Sequence, residues 1–142
     1  KSIKDLSAYD CYQNPSKSKI IAKQLVNNWK AAYLISKSNN VDFTAILQPV
    51  IFDSNNFPKY LDKEQDFFVK YLKKEFEYVY PFIVSEMKNA CIEDKIYCKV
   101  FIDGRKWLAT EKDIWIDWSH LNSDGNKILA ETILKSSNQN IE

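Results

Sequence analysis

His120 is the single histidine of the chain, and Asp117 stands three residues before it. Imidazole is the side chain whose ordinary titration range lies around neutral pH, so proton-transfer chemistry in this chain would centre on that ring. In a tight loop, an aspartate three positions upstream can fold back onto the histidine. A carboxylate accepting from Nδ1–H fixes the tautomer and leaves Nε2 free to take a proton from a nucleophile. It also stabilises the imidazolium that results. The spacing alone is common, and the simpler reading of a lone histidine is a structural or surface residue. Position adds to it. The pair lies in Asp117-Trp118-Ser119-His120-Leu121-Asn122, between the apolar run Ile114-Trp115-Ile116 and a helical pattern. Loops at such junctions carry the catalytic groups of many α/β enzymes.

Other polar and aromatic residues have two readings each. Gln48 lines an acyl or sugar pocket, or it merely ends a strand. Asn122 hydrogen-bonds near His120, or it caps the following helix. Trp107, Trp115 and Trp118 form a wall on which a sugar stacks, or they pack in the core, the default for such rings; Trp118, inside the loop, is the best of them for substrate contact. Ser119 adjoins His120, but neighbouring side chains in a loop usually diverge, and no oxyanion donors accompany it. It is read as non-nucleophilic. Asp53, Asp103 and Asp113 are loop residues, with Asp103-Gly104 a turn. Only two glycines occur, which removes phosphate-cradling glycine loops from consideration. No cysteine–histidine spacing suggests a metal.

The elements that must position the loop follow from hydrophobic periodicity. Asn14-Pro15 reads as an N-cap with proline at the first helical position. Ala22, Leu25, Val26, Trp29, Ala32 and Tyr33 then recur at helical spacing, and Asn39-Asn40 ends the helix. Ala45-Ile46-Leu47 is a short buried strand, stopped by Gln48-Pro49 because proline cannot donate to a central ladder. Asp62 with Gln65 resembles a capping box. It opens a long helix through Phe68, Leu72, Phe76 and Ile83, which Pro81 should kink or split. Ile96 to Ile102 reads as a second strand. The last helix starts near Ser123 or Asp124, with Leu129, Ala130, Ile133 and Leu134 as its inner face. Strands alternating with long helices predict an α/β sandwich on a parallel sheet. Two strands make a thin sheet with uncovered edges, as if part of it were missing.

Bulk properties narrow the partners. The 142 residues suffice for one domain. A net charge of +1, with the basic residues spread along the chain, favours no nucleic acid. No apolar run is long enough for a membrane span. Of Cys11, Cys91 and Cys98, the last two are close enough to bridge a short loop in an oxidising compartment; free buried thiols are the expected state.

Ile116-Asp117-Trp118-Ser119-His120-Leu121-Asn122, followed by Gly125-Asn126 and Ala130, resembles the last sequence block of the SGNH/GDSL hydrolases. That block has an Asp-x-x-His element, a Gly-Asn step opening the terminal helix, and a small residue facing the sheet. Leu47-Gln48-Pro49, preceded by a helix bearing Trp29, is similar to some bacterial members. The resemblance spans Ala22 to Ile133 and is most specific from Ile116 to Ala130. It implies a flavodoxin-like three-layer α/β/α sandwich with a parallel sheet. It also implies ester hydrolysis or O-acyl transfer through a serine acyl-enzyme on an acylated small molecule or carbohydrate, without cofactor or metal. His120 would be the general base and Asp117 its orienting carboxylate, with Trp118, Gln48 and Asn122 as candidate substrate contacts. One departure is large. The family's Gly-Asp-Ser nucleophile and Gly-x-Asn-Asp oxyanion block do not occur, since the two glycines precede Arg105 and Asn126. Residues 1–142 are therefore expected to be the C-terminal portion of one such domain, lacking its N-terminal part and inactive alone. The alternative is a non-catalytic α/β interaction module in which Asp117–His120 is a structural bond.

Overall fold

The first helix begins where Asn14-Pro15 predicts. α1 spans Pro15–Ser38. Asn14 Oδ1 accepts the Lys17 N–H at 3.1 Å, satisfying one donor that a helix start leaves open. At the other end the Asn39 side chain donates to the Ile35 carbonyl at 2.8 Å. The computed structural model describes residues 10–58 and 67–138; the expected Asp62–Gln65 box lies outside them. α2, Phe67–Glu93, runs on through Pro81 instead of splitting there. Pro81 is exposed, and so is Glu77, whose carbonyl loses its usual donor; water can satisfy it. Leu72, Ile83, Met87 and Ala90 are buried at helical spacing and hold the element together across the proline.

The expected three-layer α/β/α sandwich is not what the chain forms. The described residues are mostly helical. Their α-helices are α1, α2, a short α3 at Ile96–Val100 and α4 at Ser123–Asn138. The strands are β1, Ala45–Leu47, and β2, Phe101–Asp103, and they pair in parallel as a two-stranded sheet. Most of the Ile96–Ile102 run is helix. Asp94 Oδ1 accepts the Ile96 N–H at 3.0 Å, an Asx turn that leads into the helix and competes locally with the extended backbone a strand needs. Ile114–Ile116 contributes only an isolated bridge, Trp115 to Leu121.

The chain divides into two compact units, Lys1–Ala45 with Lys70–Phe101, and Ile46–Val69 with Ile102–Glu142. In the first, α1 turns Ala22 and Val26 inward. Trp29 meets Phe101 at 5.6 Å between ring centroids, and Tyr97 stacks on Phe101 at 5.0 Å. Cys91 and Cys98 are joined as a disulfide, against the expectation of free thiols, while Cys11 is free and buried.

The second unit holds the loop of interest. Its core is Ile51, Leu108, Ile114 and Trp115, with Phe52, Trp107, Trp118, Leu121 and Ile128 packed against it. α4 turns Ile128 and Leu129 partly inward, whereas Ala130 and Leu134, expected on its inner face, are exposed. Gly125 explains how closely α4 sits. A Cβ there would lie 2.9 Å from the Ile114 carbonyl oxygen and 3.1 Å from the Leu121 Cβ, so only glycine lets the first turn of α4 press on the loop.

Candidate functional site

Residues 114–122 fold back on themselves as a small hairpin. The Ile116 N–H donates to the His120 carbonyl at 2.8 Å, and the Asn122 N–H to the Ile114 carbonyl at 2.9 Å. Asp117, Trp118 and Ser119 form its tip. Asp117 builds that tip with one carboxylate oxygen and addresses the histidine with the other. Oδ1 accepts the backbone N–H groups of Ser119 and His120, each at 2.8 Å. Oδ2 lies 2.7 Å from His120 Nδ1. The tip is tied down where the Ile51 N–H donates to the Trp118 carbonyl at 3.1 Å.

This geometry assigns the ring's nitrogens. A carboxylate kept ionised can only accept, so Nδ1 carries the proton and Nε2 is the basic nitrogen. Burial, the largest single influence on Asp117, pushes its pKa upward. The Ser119 and His120 amides and the His120 ring together outweigh it, and the net effect holds the carboxyl below its ordinary value. A carboxylate depressed in the folded state stabilises that state above its unfolded pKa, and the contribution disappears as pH falls through the folded value. The Ser119 and His120 amides are therefore expected to keep their exchange protection through the ordinary aspartate range and to lose it only at more acid pH. Amide exchange followed from neutral to acid pH measures this, and protection that persists unchanged at low pH would contradict it.

His120 opens onto a cleft of about 220 Å³ lined by Gln48, Pro49, Ser119, Leu121, Asn126 and Leu129. Its side chain is 73% exposed. Gln48, at the end of β1, thus stands in the same cleft as the ring. Ser119 Oγ lies 3.4 Å from Nδ1, the nitrogen already engaged by Asp117 and not the one that would deprotonate a nucleophile. Trp118 turns the other way, onto the core cluster. Asn122 is a helix cap: its Oδ1 accepts the Gly125 N–H at 2.9 Å, and its Nδ2 donates to the Asp113 carbonyl at 2.8 Å. Of the three candidate contacts, only Gln48 borders the cleft. Asn126 and Leu129 were not among the candidate substrate contacts, although successive four- and three-residue steps from Asn122 put them on the helix face toward the loop. Asn126 Nδ2 also donates to the Leu121 carbonyl at 3.1 Å, fastening the loop's exit to α4.

Among the described residues, no group of three or more His, Cys, Asp or Glu side chains is arranged to hold a metal ion, and no helix is long and apolar enough to cross a membrane. No family model matches the chain, and neither a curated protein nor a solved structure matches it.

Proposed function

We propose that Asp117 and His120 are the general-base half of an acyl-transfer site, in a carboxylic ester hydrolase or O-acyltransferase of the SGNH/GDSL kind. The observation that carries this reading is the 2.7 Å contact between Asp117 Oδ2 and His120 Nδ1 on a ring that borders an open cleft. The serine comes from outside these 142 residues, which hold no Gly-Asp-Ser segment. His120 Nε2 takes the proton of that serine's hydroxyl as its oxygen attacks the ester carbonyl. The same proton passes to the departing alkoxide, leaving an acyl-serine. Water or a sugar hydroxyl then gives its proton to Nε2 as it attacks the acyl group, and Nε2 returns the proton to serine. Asp117 keeps the ring in the required tautomer throughout. The substrate is an acylated small molecule or carbohydrate.

The 142-residue chain alone is expected to leave a short-chain aryl ester unhydrolysed and to escape labelling by a serine-directed fluorophosphonate, with Ser119→Ala indistinguishable from it. Joined to the polypeptide encoded upstream of Lys1, it is expected to turn the ester over, with label on a serine of a Gly-Asp-Ser segment. Labelling of Ser119, or turnover by the joined protein that survives His120→Ala, would sink the proposal.

A second reading has its own support. Asp117 Oδ1 accepting two backbone N–H groups is a complete loop-forming arrangement without any chemistry. On that reading the chain is an interaction module, and the upstream sequence carries no Gly-Asp-Ser.

A further inference from the structure

We infer that the cleft beside His120 receives the alcohol half of the ester, that this half is an uncharged sugar or polyol, and that Gln48 and Asn126 select it. The inference rests on the acyl-transfer reading above. In that chemistry Nε2 hands its proton to the departing oxygen and later takes one from the incoming hydroxyl. Either oxygen must come within hydrogen-bond reach of the ring. The group that carries it therefore lies against whatever borders the ring. The acyl carbonyl lies instead against the serine and its oxyanion donors, and neither a Gly-Asp-Ser nor a Gly-x-Asn-Asp segment occurs in these residues. The walls that this chain builds around His120 are walls for the alcohol.

Size and lining narrow the occupant. The cleft's volume of about 220 Å³ is below the roughly 300–1,000 Å³ of sites that enclose a drug-sized molecule. One sugar ring or a short polyol fits it, and a long lipid chain does not. Besides His120, none of the described residues that line the cleft is charged. A phosphorylated alcohol would find no cation there. A quaternary ammonium would find neither a carboxylate nor an aromatic face, since the Asp117 carboxylate is engaged at Nδ1 and the Trp118 ring packs on the core cluster. What the lining offers is one hydroxyl and two amides beside the aliphatic carbon of Pro49 and Leu129. A sugar hydroxyl both donates and accepts, as an amide does. The C–H face of the sugar ring is apolar and matches the aliphatic wall.

The two amides stand on different elements. Gln48 follows β1 and is exposed, with buried Pro49 next to it fixing the backbone; Asn126 is exposed in the first turn of α4. Asn126 Nδ2 donates to the Leu121 carbonyl at 3.1 Å. That bond orients the amide, while Oδ1 accepts from no described residue. It is the acceptor that a ligand hydroxyl would meet. A strand end and a helix start thus hold one amide each, and two fixed points on separate elements orient a ring better than a mobile loop would.

Titration of the nitrogen-15-labelled chain with methyl β-glucoside, followed by NMR, tests the site without any serine. The Gln48 and Asn126 side-chain amides and the Ser119 and Leu121 backbone amides are expected to shift together. They should saturate with a Kd on the order of 1–50 mM, as suits one ring on an open cleft. Choline and glycerol phosphate should bind at least about tenfold more weakly. Gln48→Leu keeps the bulk and removes the amide, and is expected to weaken the glucoside about threefold to tenfold; Asn126→Ala should do the same. The His120 Nδ1 signal checks that the hairpin is still built in each variant. In the joined protein, Gln48→Leu should raise the KM of a sugar acetate relative to an aryl acetate about fivefold, and by the same factor when butyryl replaces acetyl. A joined protein without turnover would sink the acyl-transfer reading, whereas the titration decides the sugar site by itself. The inference is overturned if ~0.2 M glucoside moves none of these amides, or if choline or glycerol phosphate moves them as strongly. A Gln48→Leu effect that follows the acyl chain instead of the alcohol would overturn it equally.

Discussion

Asp117→Asn is expected to leave the hairpin standing while reversing the tautomer of His120. The amide oxygen of asparagine can still accept from the Ser119 and His120 N–H groups, as Oδ1 does now at 2.8 Å. What faces Nδ1 in place of Oδ2 is then an NH₂ group, which donates. Nδ1 must accept from it, so the ring proton moves to Nε2, the position that has to be vacant to receive a proton. In a serine site with this logic, the same exchange costs on the order of 10⁴ in kcat with geometry preserved. Nitrogen-15 NMR of His120 reads the tautomer directly in the isolated chain, and the ester assay on the joined protein reads the rate. Asp117→Ala differs, because it also strips the two amides of their acceptor. It should cost about 1–2 kcal/mol of stability, at the low end for bonds to a charged group, since the Asp117 side chain is 41% exposed. If Asp117→Asn keeps the proton on Nδ1, or the joined protein keeps its rate, the carboxylate has no orienting role.

Leu108→Ala is expected to give the largest loss of stability, about 2–5 kcal/mol. Leu108 is 1% exposed and packs with Ile51, Ile114 and Trp115. Truncation leaves a void that these neighbours can close only in part. The second unit has little regular structure to share the loss, and a domain's whole margin is about 5–15 kcal/mol. Ile51 also holds the hairpin tip through its N–H bond to the Trp118 carbonyl, so a loosened core should speed exchange of the Ile51 amide as well. Urea unfolding gives the free energy, with Ile92→Ala, at a 75% exposed position, as a control expected to change it by less than about 0.5 kcal/mol. Equal midpoints for the two variants would show that the cluster contributes little.

Parts of this structure are legible in the residues because their causes are local. Asn14-Pro15 and Asn39 bound α1, Gln48-Pro49 stops β1, and Asn122 starts α4, each through one side chain's effect on nearby backbone groups. The hairpin tip is legible for the same reason: an aspartate two and three residues before available N–H groups organises a turn. The layer architecture is not local. A five- to seven-residue apolar run fits a strand or a helix equally, and here an Asx turn at Asp94 leads into helix. Pro81 does not split α2, because the harm a proline does depends on whether the carbonyl it orphans faces water. Trp118 packs against the core cluster and does not line the cleft, because a loop residue can anchor its own loop. Asn126 and Leu129 entered the cleft through helix phase, which becomes readable once the start of α4 is fixed.

All three cysteines lie in the first unit, and residues 46–69 and 102–142 contain none. The Cys91–Cys98 link closes a ring across seven positions, small enough that its cross-link entropy is about 2–3 kcal/mol on a chain-entropy view. Thiol reagents thus act on one half of the molecule. The contacts that set Asp117 against His120 are made by residues of the other half, so reductant should slacken the junction of α2 and α3 while leaving the imidazole's partner in place.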